Sequence, residues 1–229
     1  MKLHFYGGAR VVTGSNYLLE TSKTRTLIDC GLFQGSRDMN RKNSEPFPYQ
    51  PNKIDFVLIT HAHLDHIGRL PKLINDGFNG KIFATAPTIG FARLMLEDSQ
   101  KILNEKLRKA DVIPLMDGKQ IEKIMKMFQS VEYDQPVKLN QEISVCFREA
   151  GHVLGSAVIE VTTAGKKIVF SGDLGAGRMP ILRKPAVIKQ ADYVIMESTY
   201  GNRLHESVQD SKDTIEDVAE ETIAQGGVL

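Results

Sequence analysis

The stretch Thr60-His61-Ala62-His63-Leu64-Asp65-His66 stands where an apolar run, Phe56 to Thr60, ends and a helical pattern is about to begin. Four potential metal ligands within six residues are hard to explain as packing. In extended backbone His61 and His63 project to the same side, and the turn into the helix can swing Asp65 and His66 toward a neighbouring point. One pair can then serve one metal ion and the other pair a second. Two more candidates hold the same topological position, a strand end before a glycine-rich turn: Gly151-His152 after Ile143 to Phe147, and Ser171-Gly172-Asp173 after Lys167 to Phe170. Strand ends in one sheet lie side by side, so residues distant in sequence converge there. Alone, His152 reads as an ordinary loop histidine and Asp173 as a turn former or helix cap. Beside residues 61–66, both read as ligands.

Imidazoles and carboxylates without thiolate suit borderline metals, zinc first, with manganese or iron as alternatives. A water bridging two Zn2+ ions would ionise near neutral pH and supply a nucleophile, while the same ions neutralise charge building on a phosphoryl or acyl oxygen. Asp65 has a second, catalytic role open to it, because a carboxylate touching that water can orient it and accept its proton. The only cysteines, Cys30 and Cys146, lie inside apolar strand-like stretches without paired spacing, so both read as buried reduced thiols.

With 229 residues, 41% hydrophobic and 25% charged, the chain is long enough to bury a substantial core in one large domain, or one domain plus a fragment. A formal charge of +1 gives no global reason to favour nucleic acid, membrane or an acidic partner, so any phosphate-binding surface must be a local patch. No apolar run approaches the roughly 20 residues that span a bilayer, and the first residues lack the apolar stretch of a secretory signal. No membrane association and a cytoplasmic location are expected.

Leu3 to Tyr6, Tyr17 to Glu20, Thr26 to Asp29, Phe56 to Thr60 and Lys81 to Ala84 read as strands, the first ones mostly in a hairpin pattern. Leu64 to Asp76 reads as one helix, with Pro71 tolerable only in its first turns and Gly77 as a stop. Helical spacing of apolar residues continues from Pro87 to about Lys109 and from Ile121 to Phe128. Strands return at Glu142 to Glu149, Ala157 to Val161, Lys167 to Phe170 and Tyr193 to Met196, before a polar helix, Ser207 to Ala224. Residues 41–52 read as a long loop. The order predicts two sheets sandwiched between helices.

His61-x-His63-x-Asp65-His66, followed by His152 and Asp173, resembles the metallo-β-lactamase superfamily. That resemblance implies an α/β fold, the metallo-β-lactamase αββα sandwich, with a dinuclear site at one edge between the sheets. It assigns His61, His63 and His152 to a first metal, and Asp65, His66 and a bridging Asp173 to a second. Glu197-Ser198-Thr199-Tyr200-Gly201-Asn202-Arg203-Leu204-His205 resembles the opening of the β-CASP insert of nucleic-acid-processing members. Supporting matches are Gly7-Gly8-Ala9, Val12-Thr13-Gly14-Ser15, Ile28-Asp29-Cys30-Gly31-Leu32-Phe33-Gln34-Gly35 and Gly151-His152-x-x-Gly155-Ser156.

By this resemblance residues 1–200 are the first part of the metallo-β-lactamase domain, and residues 201–229 the start of a truncated β-CASP domain. Glu197 would have a catalytic part, arranging a histidine general acid supplied later by the insert; read alone, it is a strand-end carboxylate capping the following turn. The family continues past the point where this sequence stops. An amino-terminal portion of a longer protein, or half of a split enzyme, is therefore expected, with an exposed apolar sheet edge that favours a homodimer or a complementary chain.

Arg178, Arg183, Lys184, Lys189 and Arg203 form a basic stretch that can rim the site, and Arg178, Arg203 and His205 are candidate substrate-binding residues. A solvated basic surface is the alternative. Without aromatic and basic interleaving, sequence-independent binding of single strands is expected, RNA ahead of DNA by family frequency. The expected activity is that of a metal-dependent phosphodiesterase or ribonuclease, in which a metal-bound hydroxide attacks RNA phosphodiester bonds. The alternatives are a small-molecule metallo-hydrolase, thioesterase or lactamase-like, and a non-catalytic nucleic-acid-binding scaffold.

Overall fold

The structure, a computed structural model, describes residues 1–109, 118–177, 181–204 and 207–228. It divides into two compact units, Met1–Glu197 and Ser198–Leu229. In the first unit, strands β1 (Lys2–Gly7), β2 (Asn16–Glu20), β3 (Arg25–Ile28), β4 (Phe56–Leu58), β5 (Lys81–Thr85) and β6 (Phe128–Val131) lie side by side in chain order. Within this sheet only β1, β2 and β3 run antiparallel; β3 to β6 are parallel neighbours. The hairpin expectation holds for β1 to β3, and from β3 to β6 the pairing of this sheet is parallel. Parallel partners need a crossover, and the intervening segments supply helices α1 (Arg37–Arg41), α2 (Leu64–Ile67), α3 (Leu70–Asn75), α4 (Ala86–Lys109) and α5 (Gly118–Met127).

The second sheet contains β7 (Val137–Lys138), β8 (Ile143–Glu149), β9 (Ala157–Thr163), β10 (Lys166–Phe170) and β11 (Tyr193–Ile195), in the order β11-β10-β9-β8-β7. Strand alternation sorts the first sheet's side chains into two cores. Leu18, Leu27, Val57 and Ile82 pack against Leu70, Leu73, Ala92, Leu96, Ile121 and Ile124 of the helices. Their neighbours Leu19, Ile28, Leu58 and Phe83 pack against Val145, Phe147, Ile159, Val161, Ile168 and Phe170 of the second sheet. Each such fully buried side chain contributes roughly 2 kcal/mol over its exposed state. On the far face of the second sheet, Leu174, Ile188 and Ala191 cover Ala150, Val158 and Val169. At its edge, Tyr193, Val194 and Met196 are 54%, 60% and 64% exposed.

The helix expected over residues 64–76 is two helices. Gly68 caps α2, and a Cβ there would lie 2.5 Å from Leu32 Cγ and 2.6 Å from the Leu64 carbonyl oxygen, so the backbone turns against the β3 side. Pro71, lacking an N–H, then sits in the first turn of α3, the position a helix tolerates. Phe128, read as a helix end, opens β6 and places its ring in the helix-facing core. The loop expected over residues 41–52 begins with the last residue of α1 and runs into a short 3-10 turn, Pro51–Lys53. In the second unit, α6 (Val208–Ala224) starts at Ser207, whose hydroxyl oxygen accepts from Asp210 N while the Asp210 carboxylate returns to Ser207 N. Among the described residues no helix is long and apolar enough to cross a membrane.

Candidate metal centre

The C-terminal end of β4 builds the first part of the site. Ile59 N still donates to Phe83 O, so the chain stays in the sheet, and residues 60–62 continue to His63, the extended N-cap of α2. His61 is thereby fully buried, while Asp65 and His66 enter in the first turn of α2. The second sheet supplies the rest. His152 follows β8 in a loop where the Ser156 hydroxyl oxygen accepts from His152 N and Val153 N. That loop is fastened to the first sheet by the Thr85 and Thr88 hydroxyls, both donating to Gly155 O. Ala157 N donates to Thr60 O, joining the two sheets beside His61. Asp173 follows β10, after Gly172, whose φ of +54° places its backbone against Thr60.

These segments converge. His63 Nδ1 lies 3.1 Å from His61 Nε2 and 3.2 Å from His152 Nε2. Asp173 Oδ2 lies 3.7 Å from His61 Nε2 and 3.6 Å from His152 Nε2. One ligand atom from each of the four residues falls within 4.8 Å of the others. The other Asp173 oxygen, Oδ1, lies 3.3 Å from His66 Nε2, which is 3.8 Å from Asp65 Oδ2. Asp173 thus faces two ligand groups at once, with one oxygen toward each. Nitrogen and carboxylate donors meeting this closely fit divalent cations of the borderline type, and divalent metal binding is the property this arrangement carries.

The electrostatics favour the same use. Burial, reinforced by neighbouring imidazoles, pushes His61 well below the ordinary histidine value, and burial also lowers His152. Burial would raise Asp173, but the hydrogen bond and charge of His66 outweigh it and hold the carboxyl below its usual range. Two neutral imidazoles and an ionised carboxylate are the protonation states that ligation requires. His66 differs: burial opposes its charge, yet Asp29 and Asp173 raise its value to about 10.

Asp29 occupies a supporting position that motif spacing does not single out. It is 1% exposed, and its φ of +59° turns the carboxylate beneath the site. Oδ1 accepts from Thr60 N at 2.8 Å, and Oδ2 meets His66 Nδ1 at 2.7 Å and the Ser15 hydroxyl at 3.2 Å. Holding Nδ1 leaves Nε2 aimed at Asp173, the outer-shell arrangement that sets a ligand's orientation. The available signal was a carboxylate at the end of an apolar strand, where an unpaired charge is not tolerated.

Glu197 Oε1 accepts from Leu174 N at 2.6 Å, and Glu197 N donates to the Ser171 hydroxyl at 3.1 Å, so Glu197 fastens the turn that carries Asp173. Arg183, Lys184 and Lys189 are exposed. Arg203 belongs to the second unit, its guanidinium 4.3 Å from the Tyr200 ring centroid. Arg178 and His205 lie outside the described residues.

Residues 18–201 match the family model of the metallo-β-lactamase superfamily domain, and the chain belongs to that superfamily. Its curated relatives bear names of the kind expected from the β-CASP resemblance of residues 197–205. A ribonuclease of Thermus thermophilus is 37% identical over 227 residues, 99% of this chain and 50% of that protein. Transcription termination factor FttA of Methanosarcina mazei is 33% identical over 97% of this chain and 35% of its own length. Cleavage and polyadenylation specificity factor subunit 3-I of Arabidopsis thaliana is 34% identical over 88% and 28%. The chain spans about half the length of the first of these and about a third of the others.

Proposed function

We propose that the chain is the metal-binding part of a metal-dependent phosphodiesterase that cuts single-stranded RNA. The observation that carries this reading is Asp173, which presents one oxygen to His61 and His152 and the other to His66. The names of the relatives supply the substrate class. In this reading His61, His63 and His152 hold one ion, Asp65 and His66 a second, and Asp173 both, with zinc ahead of manganese or iron. When bound, such ions supply an activated water and neutralise charge on a phosphoryl oxygen. Asp65, 21% exposed on its side chain, would orient the attacking water and accept its proton. Glu197 keeps the Asp173 turn in register, and Arg178, Arg203 and His205 serve the phosphate backbone. Residues 1–200 then form the metallo-β-lactamase part, and residues 201–229 open a β-CASP part. A reducing, cytoplasmic setting agrees with Cys30 and Cys146, both free and buried.

The test is cleavage of end-labelled single-stranded RNA by the gene product with zinc or manganese. Asp65→Ala is expected to lose about 100- to 10,000-fold in kcat. His152→Ala and Asp173→Ala should lose bound metal as well as activity. Hydrolysis of a thioester or lactam with no RNA cut would replace the reading by a small-molecule hydrolase. RNA binding without metal uptake would replace it by a scaffold.

A further inference from the structure

A groove beside β1 holds an unbalanced charge. Arg69 is 5% exposed, yet none of the described carboxylates pairs with it. Its Nη2 reaches only the Glu45 carbonyl oxygen, at 3.4 Å, and its Nε has no hydrogen-bond partner. Stacking holds the guanidinium in place, 4.2 Å from the Phe47 centroid and 5.6 Å from that of Phe33. A buried cation with no counter-ion and one unpaired donor is expensive, and an anion beside the groove face of the guanidinium would offset that cost. Arg69 lines a cavity of about 360 Å3 with Lys42, Tyr6, Phe33, Pro46 and Pro48. Lys42 Nζ stands 5.4 Å over the Phe33 ring, and the exposed Glu45 is the one acidic residue on the wall among the described residues.

We propose that this groove binds one nucleotide of single-stranded RNA, with its phosphate on Arg69 and Lys42 and its base against the aromatic and proline wall. The planar guanidinium suits a phosphate, and flat apolar walls accept any base. The groove adjoins the ligand cluster in sequence. Arg69 is three residues past His66, a reach of at most about 11 Å, and Gly7 of the wall opens the loop whose Ser15 N donates to Asp65 O. The inference rests on the RNA reading above and assigns a subsite to it.

The test measures polarisation of fluorescent oligoadenylate bound to the gene product in chelator, with RNA cleavage followed in parallel. Lys42→Met and Arg69→Met are each expected to weaken binding at least fivefold, and Lys138→Met, on β7, to leave it unchanged. Arg69→Lys, which keeps the charge but not the fork, should weaken it less than Arg69→Met. Adenosine 5′-monophosphate should displace the probe from wild type better than inorganic phosphate or adenosine does. Because Arg69 is buried, the exposed Lys42→Met decides the matter should Arg69→Met fail to fold. Wild-type affinity in Lys42→Met and Arg69→Lys, in a protein that cuts RNA, overturns the groove and leaves the activity standing. A wild type that neither binds nor cuts RNA overturns both, and equal displacement by inorganic phosphate overturns the nucleotide.

Discussion

A carboxylate that is 1% exposed and meets the Thr60 amide and hydroxyl, the Ser15 hydroxyl and His66 Nδ1 leaves costly orphans when removed. Asp29→Ala is therefore expected to lose about 3–5 kcal/mol of stability by denaturant titration. Asp29→Asn tolerates the same positive φ and separates charge from backbone geometry. It should remain folded while metal affinity, read by calorimetry, falls about 10- to 100-fold. Glu142 is a second buttress, remote from the ligands. Its carboxylate accepts from the Ser22, Thr21 and Thr24 hydroxyls and from Lys23 N, joining the β7–β8 turn to the β2–β3 turn. Those hydrogen bonds, Ser22 first and then Thr21, hold its carboxyl down at about 2. The folded value is depressed, so the stabilisation is complete above the ordinary value of 4.5 and is lost as pH falls through about 2. The Tm difference between wild type and Glu142→Gln should be widest near neutrality and close by pH 2; a difference independent of pH would refute the assignment.

At the level of elements, backbone passes so close to backbone around the ligands that two glycines have no substitute. A Cβ at Gly31 would lie 1.5 Å from the Asp65 carbonyl oxygen, and one at Gly175 would lie 1.7 Å from that of Gly151. Gly31→Ala is expected to destabilise by about 3 kcal/mol or more, shifting Tm down by roughly 6–12 °C, with loss of bound metal. Strand positions were readable because alternation marks a half-buried strand directly, as at Ile143, Val145 and Phe147. The approach of His152 and Asp173 to residues 61–63 was readable too, because all follow strand ends. Parallel pairing after β3 was not, since apolar runs look alike in either direction. The break at Gly68 was missed because it arises from contact with Leu32, distant in sequence. Asp29 was passed over for the same reason: its partners Thr60 and His66 come more than thirty residues later.

For the whole molecule, the edge strand β11 leaves Tyr193 and Val194 more than half exposed, with Met196 just beyond them. Such an edge is a template for another strand. The 229-residue chain is expected to self-associate in sedimentation experiments, and Val194→Lys to shift it toward monomer; identical profiles would remove the edge from the account. The ligands also have a mechanical consequence. His61, His63 and His66 ride on one sheet, His152 and Asp173 on the other, so cations seated among them as proposed would act as rivets through the sandwich. Unfolding must then eject them, and thermal resistance becomes a gauge of free cation: about 2.7 kcal/mol at a hundredfold excess over Kd, or roughly 5–10 °C lost on chelation.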